Sequence, residues 1–163
     1  MTSEKGLTSM SSNEPALIQD INWTLDYKVR LGRAWSRFMR GLADQKVLGT
    51  HCGQCGRTYV PPQSYCESCY VAIDEWREIE PVGTLRTATI VYQGFEGGPT
   101  APYAVGAIHL DGTDTLFMHF LGGPDLSSSD AARRALHDGA RVRAVWADER
   151  QAAITDIAHF ELT

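Results

Sequence analysis

The apolar positions of this chain change their period several times, and each change predicts a new element. From about Tyr27 to Gln45, Leu31, Trp35, Phe38 and Leu42 recur at steps of three and four and therefore share one face of a helix. Arg30, Arg33, Arg37 and Arg40 recur in the same way, about 150° round the axis. The pattern predicts a helical arm with an apolar face opposed to an arginine face, and Gly32 and Gly41 are where it would split in two. Ahead of the arm, residues 1–20 are rich in Ser, Thr, Glu and Gly and show little periodicity. Their few apolar side chains cannot offset the entropy of ordering them, so a flexible tail is expected there. Ile21 and Trp23 are the nearest anchors for ordering it on a partner.

After the arm the period shortens. Val47 to Thr50 and Arg57 to Val60 read as two short strands, and Pro61-Pro62 holds an extended backbone after them. Val82 to Tyr92, Tyr103 to Leu110, Thr115 to Leu121, Arg141 to Ala147 and Ala152 to Phe160 read as further strands. Asp111-Gly112-Thr113-Asp114 and Asp148-Glu149-Arg150-Gln151 supply hairpin turns. Ser129 to Gly139 reads as a short helix with a Ser or Asp cap and a Gly stop. Five short strands with a helix between the third and fourth are the element order of an OB-fold barrel. A six-stranded open sandwich fits the same pattern less well. The loop at residues 93–102, with three glycines and two prolines, does not match a phosphate-binding G-x-G-x-x-G and reads as a surface loop more than a ligand lid.

Between the arm and the barrel stand all four cysteines of the chain, as Cys52-Gly53-Gln54-Cys55 and Cys66-Glu67-Ser68-Cys69. Two C-x2-C pairs at this separation let two tight turns aim four thiolates at one point, the arrangement of a tetrahedral structural zinc site. Two disulfides, a redox pair and a rubredoxin-like iron site compete with zinc. No secretory segment opens the chain to favour disulfides, redox chemistry would use one pair, and iron would use the same ligands. A closed four-thiolate shell has no open position for substrate, so its metal holds structure together. His51 beside Cys52 is not needed as a ligand.

The expected fold is mainly β, in four parts: a flexible tail at 1–20, a helical arm at 21–46, a zinc ribbon at 47–73 and a five-stranded OB-fold domain at 74–163. At 163 residues and 43% hydrophobic, the chain suffices for one ordinary core plus a metal-stapled module. Its net charge of −5 argues against non-specific nucleic-acid binding. No apolar run approaches membrane-spanning length, so a soluble cytoplasmic protein is expected. Charge is uneven: from Tyr27 to Lys46 six cations face Asp44 alone, whereas from Asp74 onward seven arginines face fourteen carboxylates. A basic arm is attached to an acidic body. Its arginines read either as a solvated face or as a binding site for phosphates or an acidic partner.

Missing chemistry narrows the function further. Every cysteine is committed to metal, and no G-x-S-x-G elbow is present. His109 and His119 fall on adjacent strands, where they could face each other across the hairpin; hydrogen-bonded sheet histidines account for them better than an acid and base pair. Tyr92, Tyr103, Phe117, Phe120 and Trp146 could stack bases in a zinc-stapled nucleic-acid-binding module, but core filling explains them with fewer assumptions. By itself the chain does not read as an enzyme.

Val47-Leu48-Gly49-Thr50-His51-Cys52-Gly53-Gln54-Cys55-Gly56-Arg57, Val60-Pro61-Pro62, Cys66-Glu67-Ser68-Cys69-Tyr70, Glu75-Trp76, Gly83-Thr84 and Pro102-Tyr103 together resemble a known family. It is the family of rubredoxin-like zinc-ribbon and OB-fold proteins associated with acyl-CoA enzymes. The resemblance covers about Trp35 to Phe160. It implies a non-catalytic accessory subunit that joins a thiolase-fold enzyme, often as a symmetric heterotetramer. Partners in the family include thiolases, aldolases that shorten steroid-type CoA thioesters, and archaeal acetoacetyl-CoA thiolase with its synthase. It also implies that the barrel accepts part of the acyl-CoA, a substrate shared with the partner. The arginine face would then suit the CoA phosphates or an acidic partner surface. Family members often carry Arg after the double proline where this chain has Gln63, which leaves an anion contact from that position without its cation.

Overall fold

The computed structural model describes residues 28–163; the expected tail and its anchors Ile21 and Trp23 lie outside the described residues. Helix α1 runs from Gly32–Ala43 and ends where Gln45 takes a left-handed backbone, φ 60°. Only the C-terminal half of its apolar face is covered: Phe38 and Leu42 are buried, whereas Leu31 and Trp35 are exposed. Gly41 does not split the helix. It is buried, and a Cβ there would lie 2.8 Å from Leu48 Cδ1, so glycine is what lets the next strand approach the helix.

That strand, β1 (Val47–His51), is the centre of a three-stranded antiparallel sheet. On one side it pairs with β2 (Thr58–Tyr59), closing the first cysteine turn, and on the other with β3 (Glu75–Ile79). The sequence pattern contains no signal for β3. Its alternation is hidden because only Ile79 is buried and Trp76 is half-buried, while Glu75, Arg77 and Glu78 face solvent.

The chain then forms β4 (Val82–Val91), β5 (Tyr103–Leu110), β6 (Leu116–Gly122), helix α2 (Ser129–Ala135), β7 (Arg141–Trp146) and β8 (Ile157–Leu162). The five strands close in the order β4-β5-β6-β8-β7, as the OB-fold expectation requires. Leu85, Ile108, Leu110, Phe117, Leu121, Val142 and Phe160 fill the barrel, and Phe38 and Leu42 of α1 join them in one core. Phe38 packs edge-on against Phe117, ring centroids 6.2 Å apart.

Ribbon and barrel are also stitched together by polar groups. Asp114 and Thr115, in the turn between β5 and β6, reach the ribbon: Thr58 N–H donates to Asp114 Oδ2 at 2.8 Å, and Asp114 N–H donates to the Thr58 carbonyl at 2.8 Å. Val60 N–H donates to Thr115 Oγ1 at 2.9 Å, and the Thr115 hydroxyl donates to the Val60 carbonyl at 2.7 Å. The hairpin signal is therefore also a clamp, because it satisfies the backbone of a two-residue strand that has one edge unpaired.

Three expectations are corrected. The strand expected from Ala152 begins only at Ile157, because buried Asp156 accepts hydrogen bonds from the N–H groups of Gln151 and Ala153 and folds residues 151–156 into a turn. The cap of α2 is Ser128, whose hydroxyl accepts from Ala131 N–H at 3.4 Å. His109 and His119 do not face each other: His109 pairs with Leu116 and points out, and His119 pairs with Gly106 and points in. Each is hydrogen-bonded, His109 Nε2 donating to the Thr113 carbonyl at 2.6 Å and His119 Nε2 to the Ile154 carbonyl at 3.2 Å.

Burial pushes the His119 pKa down, since its ring is 7% exposed and its Nδ1 has no partner. The unfolded chain therefore takes up this proton first as pH falls through about 6.5. Stability is fully present above that pH and should be lost progressively below it, towards the lower folded pKa. Urea midpoints measured between pH 7.5 and 5 should show this slope in the native protein and lose most of it in His119→Phe; an unchanged slope would show that His119 does not carry it.

Candidate metal centre

The four cysteines sit on two turns built alike. In the first, Cys52 N–H donates to the Arg57 carbonyl at 2.8 Å and Gly56 N–H to the Cys52 carbonyl at 2.8 Å. In the second, Cys66 N–H donates to the Val71 carbonyl and Tyr70 N–H to the Cys66 carbonyl, both at 2.9 Å. The fourth residue after the leading cysteine is left-handed in both, Gly56 at φ 78° and Tyr70 at φ 56°. Glycine takes that conformation freely; Tyr70 is held there by the same two hydrogen bonds.

These turns bring together all four predicted ligands. The Sγ atoms of Cys52, Cys55, Cys66 and Cys69 lie within 4.8 Å of one another, and Cys55 and Cys66 are 3.6 Å apart. A tetrahedral zinc with bonds of about 2.3 Å needs sulfurs about 3.8 Å apart, close to the spacing found here. All four are free thiols. His51 turns away from the shell and pairs with Thr58 Oγ1 at 3.0 Å, as expected of a residue that is not a ligand.

One partner of the site was not read from the sequence. Tyr59 is fully buried, and its hydroxyl, pushed up to about 12 by burial, stays protonated and donates to Cys66 Sγ at 3.2 Å. That hydrogen bond is the first cause of the fall in the Cys66 pKa to about 6. Cys69 goes the other way, to about 12, first because of its contact with the Cys55 thiol. Four crowded sulfurs that cannot all ionise together are a shell whose charge a divalent cation would neutralise. The aromatic at the end of a two-residue strand was the available signal, but nothing in sequence says which way it points.

The arginine row is divided by the structure. Arg33 and Arg37 line a cleft of about 380 Å³ between α1 and the ribbon, together with Tyr65, Asp74 and Trp76. The Arg37 guanidinium lies over the Trp76 ring, 4.5 Å from its centroid. Arg40 is exposed at the end of α1 and does not line the cleft; Arg30 precedes the helix and is exposed. Among the described residues, none of the four forms a salt bridge.

Against known families, residues 39–75 match the rubredoxin-like zinc ribbon domain of ChsH2, and residues 76–147 match the C-terminal OB-fold domain of ChsH2. The chain belongs to this family. Four cysteines positioned for one metal ion agree with the zinc of the family's ribbon domain. Among solved structures, a DUF35-family protein of unknown function from Sulfolobus solfataricus is 25% identical, covering 80% of this chain and 84% of its own at a TM-score of 0.58. A chain of a structure described as an Ltp2-ChsH2(DUF35) aldolase is 16% identical and shares the fold at a TM-score of 0.62, over 83% of this chain and 98% of its own. No curated protein sequence matches. No helix among the described residues is long and apolar enough to cross a membrane.

Proposed function

We propose that this chain is the non-catalytic subunit of a complex with a thiolase-fold enzyme, either an acyl-CoA thiolase or a thiolase-like aldolase. In this reading it helps hold the acyl-CoA while the partner cleaves the C–C bond, in the cytoplasm and as a heterotetramer. The observation that carries the reading is the pairing of ChsH2-type ribbon and OB domains across residues 39–147, supported by the fold shared with a chain of the Ltp2-ChsH2(DUF35) aldolase. Thiolase chemistry needs a cysteine thiolate as nucleophile, and all four thiols here converge on one metal-sized point. Cys52, Cys55, Cys66 and Cys69 would hold a structural zinc, which rigidifies the ribbon and supplies no step of the reaction.

In this reading Arg33 and Arg37 are the members of the arginine row that contact CoA phosphates, which is supported by their lining one cleft and by the match of guanidinium forks to phosphate oxygens. Co-expression with the thiolase-fold proteins of the same organism should yield a stable heteromer with one of them, and the isolated chain should show no acyl-CoA cleavage. Turnover by the isolated chain, or failure to co-purify, would refute the accessory role. Reversing Arg33 and Arg37 to Glu should leave the complex assembled and raise its KM for acyl-CoA by about tenfold or more. Loss of assembly would instead make the row a docking surface, and wild-type values for both would make it a solvated face.

A further inference from the structure

Side chains of a closed barrel alternate between its interior and its exterior. Ala104, Gly106 and Ile108 of β5 and Phe117, His119 and Leu121 of β6 are the inward set, so the residues between them lie on the outer face, where small Ala107 is itself covered by its neighbours. Across β4, β5 and β6 these outer residues pair in two adjacent rows: Thr87, Ala107 and Met118, then Thr89, Val105 and Phe120. No member of either row is charged, and Leu116 extends the patch along β6. Met118 is 66% exposed and Leu116 50%. An antiparallel sheet that faces water ordinarily turns polar residues outward. Strands β7 and β8 do so, with Arg141, Arg143 and Glu161 outside, and Arg141 reaches across to Thr84 of β4 and grips both oxygens of Asp111, just after β5, at 2.9 and 2.6 Å.

The patch continues into a cleft. Strands β6 and β8 are paired only at Leu121 with Phe160 and Gly122 with Glu161. Where they part, a space of about 290 Å³ joins Val105, Met118 and Phe120 to Ile154, Ile157 and Ala158, with room for an apolar side chain.

We propose that this outer face of β4, β5 and β6, with the cleft at its edge, is where the thiolase-fold subunit docks, through an uncharged apolar ridge of its own. The proposal rests on the accessory role inferred above and adds to it the place and the chemistry of the contact. Charge selects the occupant. From Asp74 onward seven arginines stand against fourteen carboxylates, so a second copy would bring two acidic bodies together, and nucleic acid would meet no cation in either row. An apolar partner surface is desolvated here without leaving any charge unpaired.

Met118→Glu places a charge in the patch at a position too exposed to disturb the core. Co-expressed with the thiolase-fold protein of the same organism that captures it, the wild-type chain should co-elute as a heteromer. Met118→Glu should weaken that complex by more than about thirtyfold, with zinc content and Tm unchanged. Arg143→Glu, on the outer face of β7, should bind at wild-type affinity. A Met118→Glu complex of undiminished affinity overturns the proposal. So does a wild-type chain that sediments alone as a dimer and becomes a monomer on Met118→Glu, because the face then belongs to a second copy. A wild-type chain that captures no thiolase-fold subunit overturns the accessory role itself, and the occupant named here with it.

Discussion

Replacing Cys66 by serine should remove the metal and unfold the ribbon while leaving the barrel standing. Structural zinc in small ribbons contributes about 10–16 kcal/mol of apparent binding free energy, as much as the whole stability of an ordinary domain. The ribbon has little else: its own core is Cys52, Tyr59, Cys66 and Ile73, with Cys69 packed against it, so most of its buried side chains are ligands. The larger core, built on Leu85, Ile108, Phe117 and Phe160, draws only Val47 and Val60 from residues 47–73, so it survives loss of the cysteine-centred cluster. Metal analysis should find about one zinc per wild-type chain and almost none in Cys66→Ser. Hydrogen exchange should then show residues 47–73 deprotected while β4 to β8 retain their slow amides. A metal-free chain with native protection in the ribbon would refute the structural role, and stoichiometric iron in its place would replace zinc by the competing metal.

Phe38→Ala should cost about 3–5 kcal/mol, the range for emptying a fully buried aromatic site. Phe38 is 0% exposed and stands between Trp35 of its own helix and Phe117 in the barrel, ring centroids 6.0 and 6.2 Å away. It is the residue through which α1 shares the barrel core, and α1 in turn carries Arg33 and Arg37 to their cleft. Denaturant unfolding should show the loss directly, and exchange in α1 should rise more than exchange in β4 to β8. Trp35→Ala, at the exposed end of the same face, should cost much less, because its ring is only partly covered and water already reaches the site. Equal losses at the two positions would mean that the helix is not anchored through Phe38.

Part of this molecule was legible because its signals are local. Two C-x2-C turns need only a few neighbouring residues to aim their sulfurs, and the four ligands were placed from spacing alone. Strands with alternating burial were found for the same reason: β5 was expected at Tyr103 to Leu110 and lies there. β3 was missed because its burial comes from pairing with β1, some thirty residues earlier in the chain, and not from its own pattern. Asp156 shows the opposite error, a polar residue in a β-rich run whose carboxylate folds a turn by satisfying two backbone N–H groups.

By itself, then, the sequence determined most of the elements, β3 excepted, and which four side chains are gathered where one metal ion could be held, since propensity, spacing and turn chemistry act over a few residues. Tertiary structure alone decided that His109 and His119 point to opposite sides of the barrel, because strand register assigns a face to every residue. It also decided that Tyr59 serves Cys66, that Asp114 and Thr115 bind the ribbon to the barrel, and that only Arg33 and Arg37 of four arginines share a cleft. Those contacts join residues far apart in the chain, and their partners become neighbours only when the barrel closes and both packed cores have formed.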